Sequence, residues 1–192
     1  MVKRMDKMAP IIWQTAYLKV LHWFFAFPGR EIGLNDLSAE LSISKTTARA
    51  IVLGLVREGF LQRETIGKVW RISCNQHHEY MTTGKIPYNL ALVYNTAIIK
   101  EVNEIVGSPR AIILFGSYRK GDDTEKSDID IAVEVLDDQN PEIVPLGIIP
   151  ELGFRKNVPV NMHLFSRNKI DLNLFANIAN GIVLEGFFEV RS

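Results

Sequence analysis

Apolar residues recur at helical spacing along much of the first seventy-five positions, then give way to short alternating runs. A broad apolar face runs from about Pro10 to Ala26 and stops at "FPGR", where Pro28 and Gly29 forbid continuation. A short second helix is predicted through "DLSAEL", with Asn35 as its cap and Leu37 and Leu41 on one face. In "SISKTTARAIVLGLVREG", Ser44 is the expected N-cap and Ala48, Ile51, Val52 and Leu55 follow the core spacing. Gly59 ends this third helix. The following "FLQRETIGKVWRIS" reads as a hairpin: Phe60 to Glu64, a turn containing Gly67, then Lys68 to Ser73.

Beyond it the pattern changes. "NQHHEYMTTGKIP" is polar, contains Gly84 and Pro87 and has no period, so residues 76–87 read as a linker between domains at 1–75 and 88–192. Tyr88 to Val106 suits a helix, and "AIILF" at 111–115 a buried strand. "DIDIAVEV" alternates, placing Asp128, Asp130, Ala132 and Glu134 on one face and Ile129, Ile131, Val133 and Val135 on the other. "NPEIVPLGIIPELGF" is expected to give a helix or helical turn, "VPVNMHLF" a third strand, and residues 169–181 a closing helix. The fold class is α/β (α+β), with a mixed sheet flanked by helices in the second domain.

Composition narrows the classes. With 47% hydrophobic and 23% charged residues the chain is neither disordered nor a membrane protein, and no apolar run reaches the roughly 18 residues a span requires. The basic N-terminus leads into a segment broken by Gln14, Thr15 and Lys19, which reads as a helix rather than a leader. The lone Cys74 points to a cytoplasmic, reducing setting. Net charge is zero, yet residues 1–75 carry 11 Lys/Arg against 6 Asp/Glu, and residues 76–192 carry 11 against 16. A basic module able to meet a polyanion thus precedes an acidic one able to hold cations.

Lys45, Thr46 and Arg49 share the polar face near the start of the third helix, and Arg63, Lys68 and Arg71 give the hairpin a basic edge. This segment, above all "LSAELSISKTTARAIVLGLVREGFLQR", resembles the winged helix-turn-helix domain of prokaryotic transcription regulators. The resemblance implies double-stranded DNA binding, with Lys45, Thr46 and Arg49 toward the major groove and Lys68 and Arg71 on the phosphates. Trp13, Trp23, Phe24 and Phe25 exceed what one small core is expected to take, which leaves some for a homodimer surface, although core packing is the expected fate of any one of them. His77 and His78 are adjacent and diverge on any regular element, which argues against a metal site there.

The chemistry concentrates in "LFGSYRKGDDTEKSDIDIAV". Two carboxylates at i and i+2 of a strand lie roughly 6.5–7 Å apart along the backbone and point the same way, so their oxygens can converge on a hard cation. Gly116 and Ser117 offer an unobstructed turn, N–H donors and a hydroxyl for phosphate, and Arg119 and Lys120 the neutralising charge. The stretch is similar to the signature of nucleotidyltransferases related to DNA polymerase β, in particular the minimal nucleotidyltransferase subfamily. That resemblance implies Asp128 and Asp130 as ligands of Mg²⁺ or Mn²⁺, Gly116 and Ser117 as the phosphate loop, ATP or another NTP as ligand, and nucleotidyl transfer to a hydroxyl. It also implies a HEPN-type protein partner in a toxin–antitoxin pair.

The family's third carboxylate, ligand and base, is replaced at the matching position by Asn161, whose amide cannot take a proton at neutral pH. His163 shares Asn161's face and is a candidate substitute base. Glu134 lies too far along its strand, and Glu151 or Asp171 can contribute only if the fold brings them near. Three functions stand: an active nucleotidyltransferase, a DNA-binding regulator whose second domain binds nucleotide with little or no turnover, or a scaffold that uses the winged helix only for self-association.

Overall fold

The computed structural model describes residues 15–189 of the 192-residue chain, which divide into two compact units, 15–85 and 86–189. The expected helical start at Pro10 and the side chain of Trp13 lie outside the described residues. No described helix is long and apolar enough to cross a membrane.

The first unit begins with α1 (Ala16–Ala26), whose first turn is capped by Thr15 Oγ1 accepting from the Leu18 N–H at 3.3 Å. There follow β1 (Ile32–Gly33), α2 (Leu34–Glu40), α3 (Lys45–Arg57), β2 (Leu61–Ile66) and β3 (Val69–Cys74). The strands form an antiparallel sheet in the order β1-β3-β2. As expected, Ser44 caps α3, its Oγ accepting from the Thr47 N–H at 3.0 Å, and Gly59, at φ +86°, ends it. Asn35 does not cap α2. Gly33 occupies that position because β1 is paired with β3, Gly33 against Arg71, and the helix starts where the ladder stops.

Trp23, Phe24 and Phe25 all enter the core rather than a self-association surface, Trp23 meeting Phe24 edge to face and Phe24 and Phe25 each meeting Phe60 in the same way. Residues 76–87 are folded rather than a bare polar connector. They hold α4 (Tyr80–Thr83) and the start of α5 (Lys85–Tyr94); Met81 and Lys85 are buried, and the His78 ring packs on Phe60 and Tyr80. Their side chains carry apolar bodies beneath polar tips, which a polarity pattern does not register.

In the second unit the helix predicted for residues 88–106 is two helices, α5 and α6 (Ile98–Val106), separated at Asn95–Ala97, where the Thr96 hydroxyl bonds the Val93 carbonyl at 2.6 Å. The rest is β4 (Ala111–Phe115), α7 (Gly116–Lys120), β5 (Ile129–Glu134), β6 (Glu142–Leu152), β7 (Arg155–Phe165), α8 (Leu172–Ala179) and β8 (Ile182–Gly186). The mixed sheet runs β6-β7-β5-β4-β8, every neighbouring pair antiparallel except β5 with β7.

Where a helical turn was expected, β6 is an eleven-residue strand. Pro145 and Pro150 are incompatible with a helix interior, and the chain absorbs Pro145 and Gly147 as a bulge in the ladder to β7. Alternation along β5 sorts the two sheet faces. Ile129, Ile131 and Val133 join Ile112, Leu114, Val102 and Ile98 in one core, while Ala132 joins Ile113, Phe115, Phe165 and Ile178 of α8 in the other. Asp130 therefore lies on the α8 side of the sheet.

Candidate functional sites

Gly116 follows directly on β4 with φ +71°, a conformation that L side chains rarely adopt. A Cβ there would stand 2.9 Å from Asp130 Oδ2, so the backbone approaches Asp130 this closely only because the position is glycine. Short α7 ends on Gly121 at φ +79°, and the loop from there delivers Asp128 just ahead of β5.

Register fixes what faces Asp130. It lies opposite Phe115 in the antiparallel ladder to β4 and opposite Asn161 in the parallel ladder to β7. Each acid has one partner from β7. Asn161 Nδ2 donates to Asp128 Oδ2 at 2.5 Å, and His163 Nε2 lies 3.1 Å from Asp130 Oδ1, with the imidazole packed edge-on against Phe115. Asp128 Oδ1 and Asp130 Oδ2 take no hydrogen bond among the described residues.

Two half-exposed carboxylates, each with an oxygen in reserve, fit a hard divalent cation that completes its shell from phosphate or water. No third carboxylate joins them, and no group of three or more His, Cys, Asp or Glu suited to a metal is gathered among the described residues. Glu134 is buried at the far end of β5, ion-paired to Arg167 at 3.1 Å and to Arg110 at 4.0 Å. Asp171 caps α8, accepting from the N–H groups of Asn173 and Leu174, and Glu151 stands on edge strand β6 opposite Lys156.

Beside this pair opens a cleft of about 260 Å³, floored by Phe115 and Gly116 and walled on one side by Arg119 and Lys120. The other wall, Leu174, Asn177 and Asn180 of α8 and its C-terminus, was not anticipated. Its one sequence signal is the helical spacing of the asparagines in "LNLFANIAN". Ser117 follows Gly116 on α7 and is partly buried.

In the first unit, Lys45 and Arg49 of α3 and Lys68 at the hairpin tip line a second cleft of about 300 Å³ with Asn35, Asp36 and Trp70. The Arg49 and Arg63 guanidinium groups lie 5.5 and 4.6 Å from the Trp70 ring, which stiffens this basic surface. Thr46 is exposed on the first turn of α3. Arg71 differs from the other cations, because it is ion-paired to Glu31 and lies 3.9 Å from Glu64, so its charge is already matched.

Residues 96–172 match the family model of the nucleotidyltransferase domain, and residues 18–65 that of the IclR helix-turn-helix domain. No curated protein and no solved structure matches the chain.

Proposed function

We propose that this chain, a helix-turn-helix DNA-binding domain joined to a nucleotidyltransferase domain, binds a nucleoside triphosphate, ATP first among the candidates, and transfers its nucleoside monophosphate to a hydroxyl. The observation that carries the reading is the packing of Asp130 against Gly116, with Asp128 held beside it through Asn161 and the cleft bearing Arg119 and Lys120 alongside.

Asp128 and Asp130 would hold Mg²⁺ or Mn²⁺, which supplies Lewis-acid stabilisation of phosphate charge when bound. Gly116 and Ser117 admit the phosphates closely, and Arg119 and Lys120 neutralise the tail. In the transfer, the acceptor oxygen forms a bond to the α-phosphorus, the bond from that phosphorus to the bridging oxygen breaks, and pyrophosphate leaves with the electron pair. The acceptor's proton has to go to a base. Among the side chains gathered at the site, the imidazole of His163, held by Asp130, is the one with a ring nitrogen able to take it.

A second reading rests on the Asn161–Asp128 contact. Where a third carboxylate would bind metal and take a proton, an amide N–H instead satisfies Asp128, which favours nucleotide binding with slow turnover by a DNA-binding regulator. Lys45, Arg49 and Lys68 give the first domain its electrostatic purchase on duplex DNA.

Calorimetric titration of ATP with Mg²⁺ into the wild type and into Asp128→Asn/Asp130→Asn tests the site. Metal-dependent binding in the wild type alone is expected, and its absence with every NTP would sink both readings. Transfer from α-labelled ATP to RNA ends, small hydroxyl compounds or a HEPN-type protein then separates them.

A further inference from the structure

Arg155 opens β7 and is 5% exposed, an uncommon fate for an arginine. Its guanidinium donates to Tyr118 Oη, to the Ser127 carbonyl and, at 3.3 Å, to the Glu125 carbonyl, and lies 5.5 Å from the centre of the Tyr118 ring. The two closest partners flank the proposed ligand-binding residues. Tyr118 follows Ser117 on α7, and Ser127 precedes Asp128 in the loop.

A second clamp spans the same gap. Asn89 of α5, also buried, donates through Nδ2 to the Tyr118 carbonyl at 3.0 Å and to buried Asp123 Oδ1 at 2.7 Å. Two buried polar side chains from different elements thus tie α7 to the loop 121–128. Burying a cation is costly, and an apolar side chain could fill this space with less desolvation. What an apolar group cannot do is hold three oxygens at set positions, which a planar guanidinium does.

We infer that Arg155 is a positioning residue, fixing the span between Ser117 and Asp128 across which a metal–nucleotide would be bound. The inference rests on the nucleotide-site reading above. It distinguishes two ligands: metal-free ATP can engage Gly116, Arg119 and Lys120 alone, whereas the metal complex must satisfy α7 and the acidic pair at once. Loosening the clamp therefore removes the gain in affinity due to metal and leaves metal-free binding intact.

The test is titration of ATP, with and without Mn²⁺, into full-length wild type, Arg155→Met, Arg155→Lys and Tyr118→Phe, with bound Mn²⁺ read by electron paramagnetic resonance. Arg155→Met is expected to weaken Mn²⁺–ATP by about tenfold or more, the scale of a lost charged hydrogen bond, with metal-free ATP within about twofold of wild type. Arg155→Lys, with a single point charge, should recover only part of the loss. Tyr118→Phe keeps the ring and removes one acceptor, and decides the matter if Arg155→Met does not fold: it should lower the metal-dependent gain by about threefold. A folded Arg155→Met or Tyr118→Phe with the full gain overturns the inference, as does equal loss with and without metal. A wild type with no metal-dependent gain instead overturns the nucleotide-site reading on which it stands.

Discussion

Replacing Gly116 by alanine places a methyl group 2.9 Å from Asp130 Oδ2 on a residue already at φ +71°. The left-handed conformation alone costs an L-residue about 1–2 kcal/mol. The methyl also presses on a carboxylate held by His163 at 3.1 Å. Displacing it weakens a hydrogen bond to a charged group, about 1.5–3 kcal/mol when lost outright. With partial relaxation, Gly116→Ala should destabilise the second unit by at least about 2 kcal/mol, or about 8 °C or more for a domain of roughly 100 residues. All three tryptophans precede residue 75, so fluorescence follows the first unit while calorimetry sees both. The calorimetric transition that fluorescence does not follow should move down. In Gly116→Ala/Asp130→Ala the steric part disappears and the backbone part stays, so the double variant should lose less than the singles added together. A Gly116→Ala transition within about 2 °C of wild type, or strict additivity, would refute the steric account of this glycine.

Three further outcomes are expected. Burial holds His22 down to about 4 from 6.5, so the unfolded chain takes up a proton first as the medium acidifies. The first unit keeps this contribution above pH 6.5 and loses it as pH falls toward 4, by about 1–2 kcal/mol after allowance for partial exposure; the fluorescence-detected midpoint should fall accordingly, and less steeply in His22→Gln. Lys45→Ala and Arg49→Ala should each reduce the slope of log affinity for duplex DNA against log salt by about one, while Arg71→Ala, whose charge is already paired, changes it less; equal slopes in all three would contradict the electrostatic assignment. Asn161→Asp brings a third carboxylate beside Asp128, so it should tighten Mn²⁺ binding and lower thermal stability in chelator; unchanged metal affinity would show that Asn161 is not part of the ligand shell.

The parts of the fold that announced themselves were those whose chemistry is local. Ser44 and Gly59 bracket α3, and continuous apolarity followed by Gly116, then the alternation of "DIDIAVEV", places β4, β5 and the acids. The strand at "VPVNMHLF" was legible from its apolar character, and its register to β5 sets Asn161 opposite Asp130. What stayed hidden depends on pairing across the chain. The β6 sequence, with two prolines and a glycine, suggests a broken helix until β7 supplies its ladder, and β8 is five residues whose strand character comes from β4. Arg155 carries no motif either; only the fold shows that it reaches Ser127, and only the position of α8 turns Asn177 and Asn180 into a cleft wall.

The single parallel pairing in the second sheet also sets an order of assembly. β6 and β7 join through the two-residue turn at Gly153 and Phe154, and β4 and β5 pair across α7 and the loop that follows it, so both couples are closer in sequence than β5 is to β7. Aligning β5 with β7 requires bringing together residues some thirty apart, a slower closure. Asp128 meets Asn161 and Asp130 meets His163 only across that seam. On a ribosome the two acids emerge before their partners on β7, and the pocket is complete only once β5 and β7 are aligned.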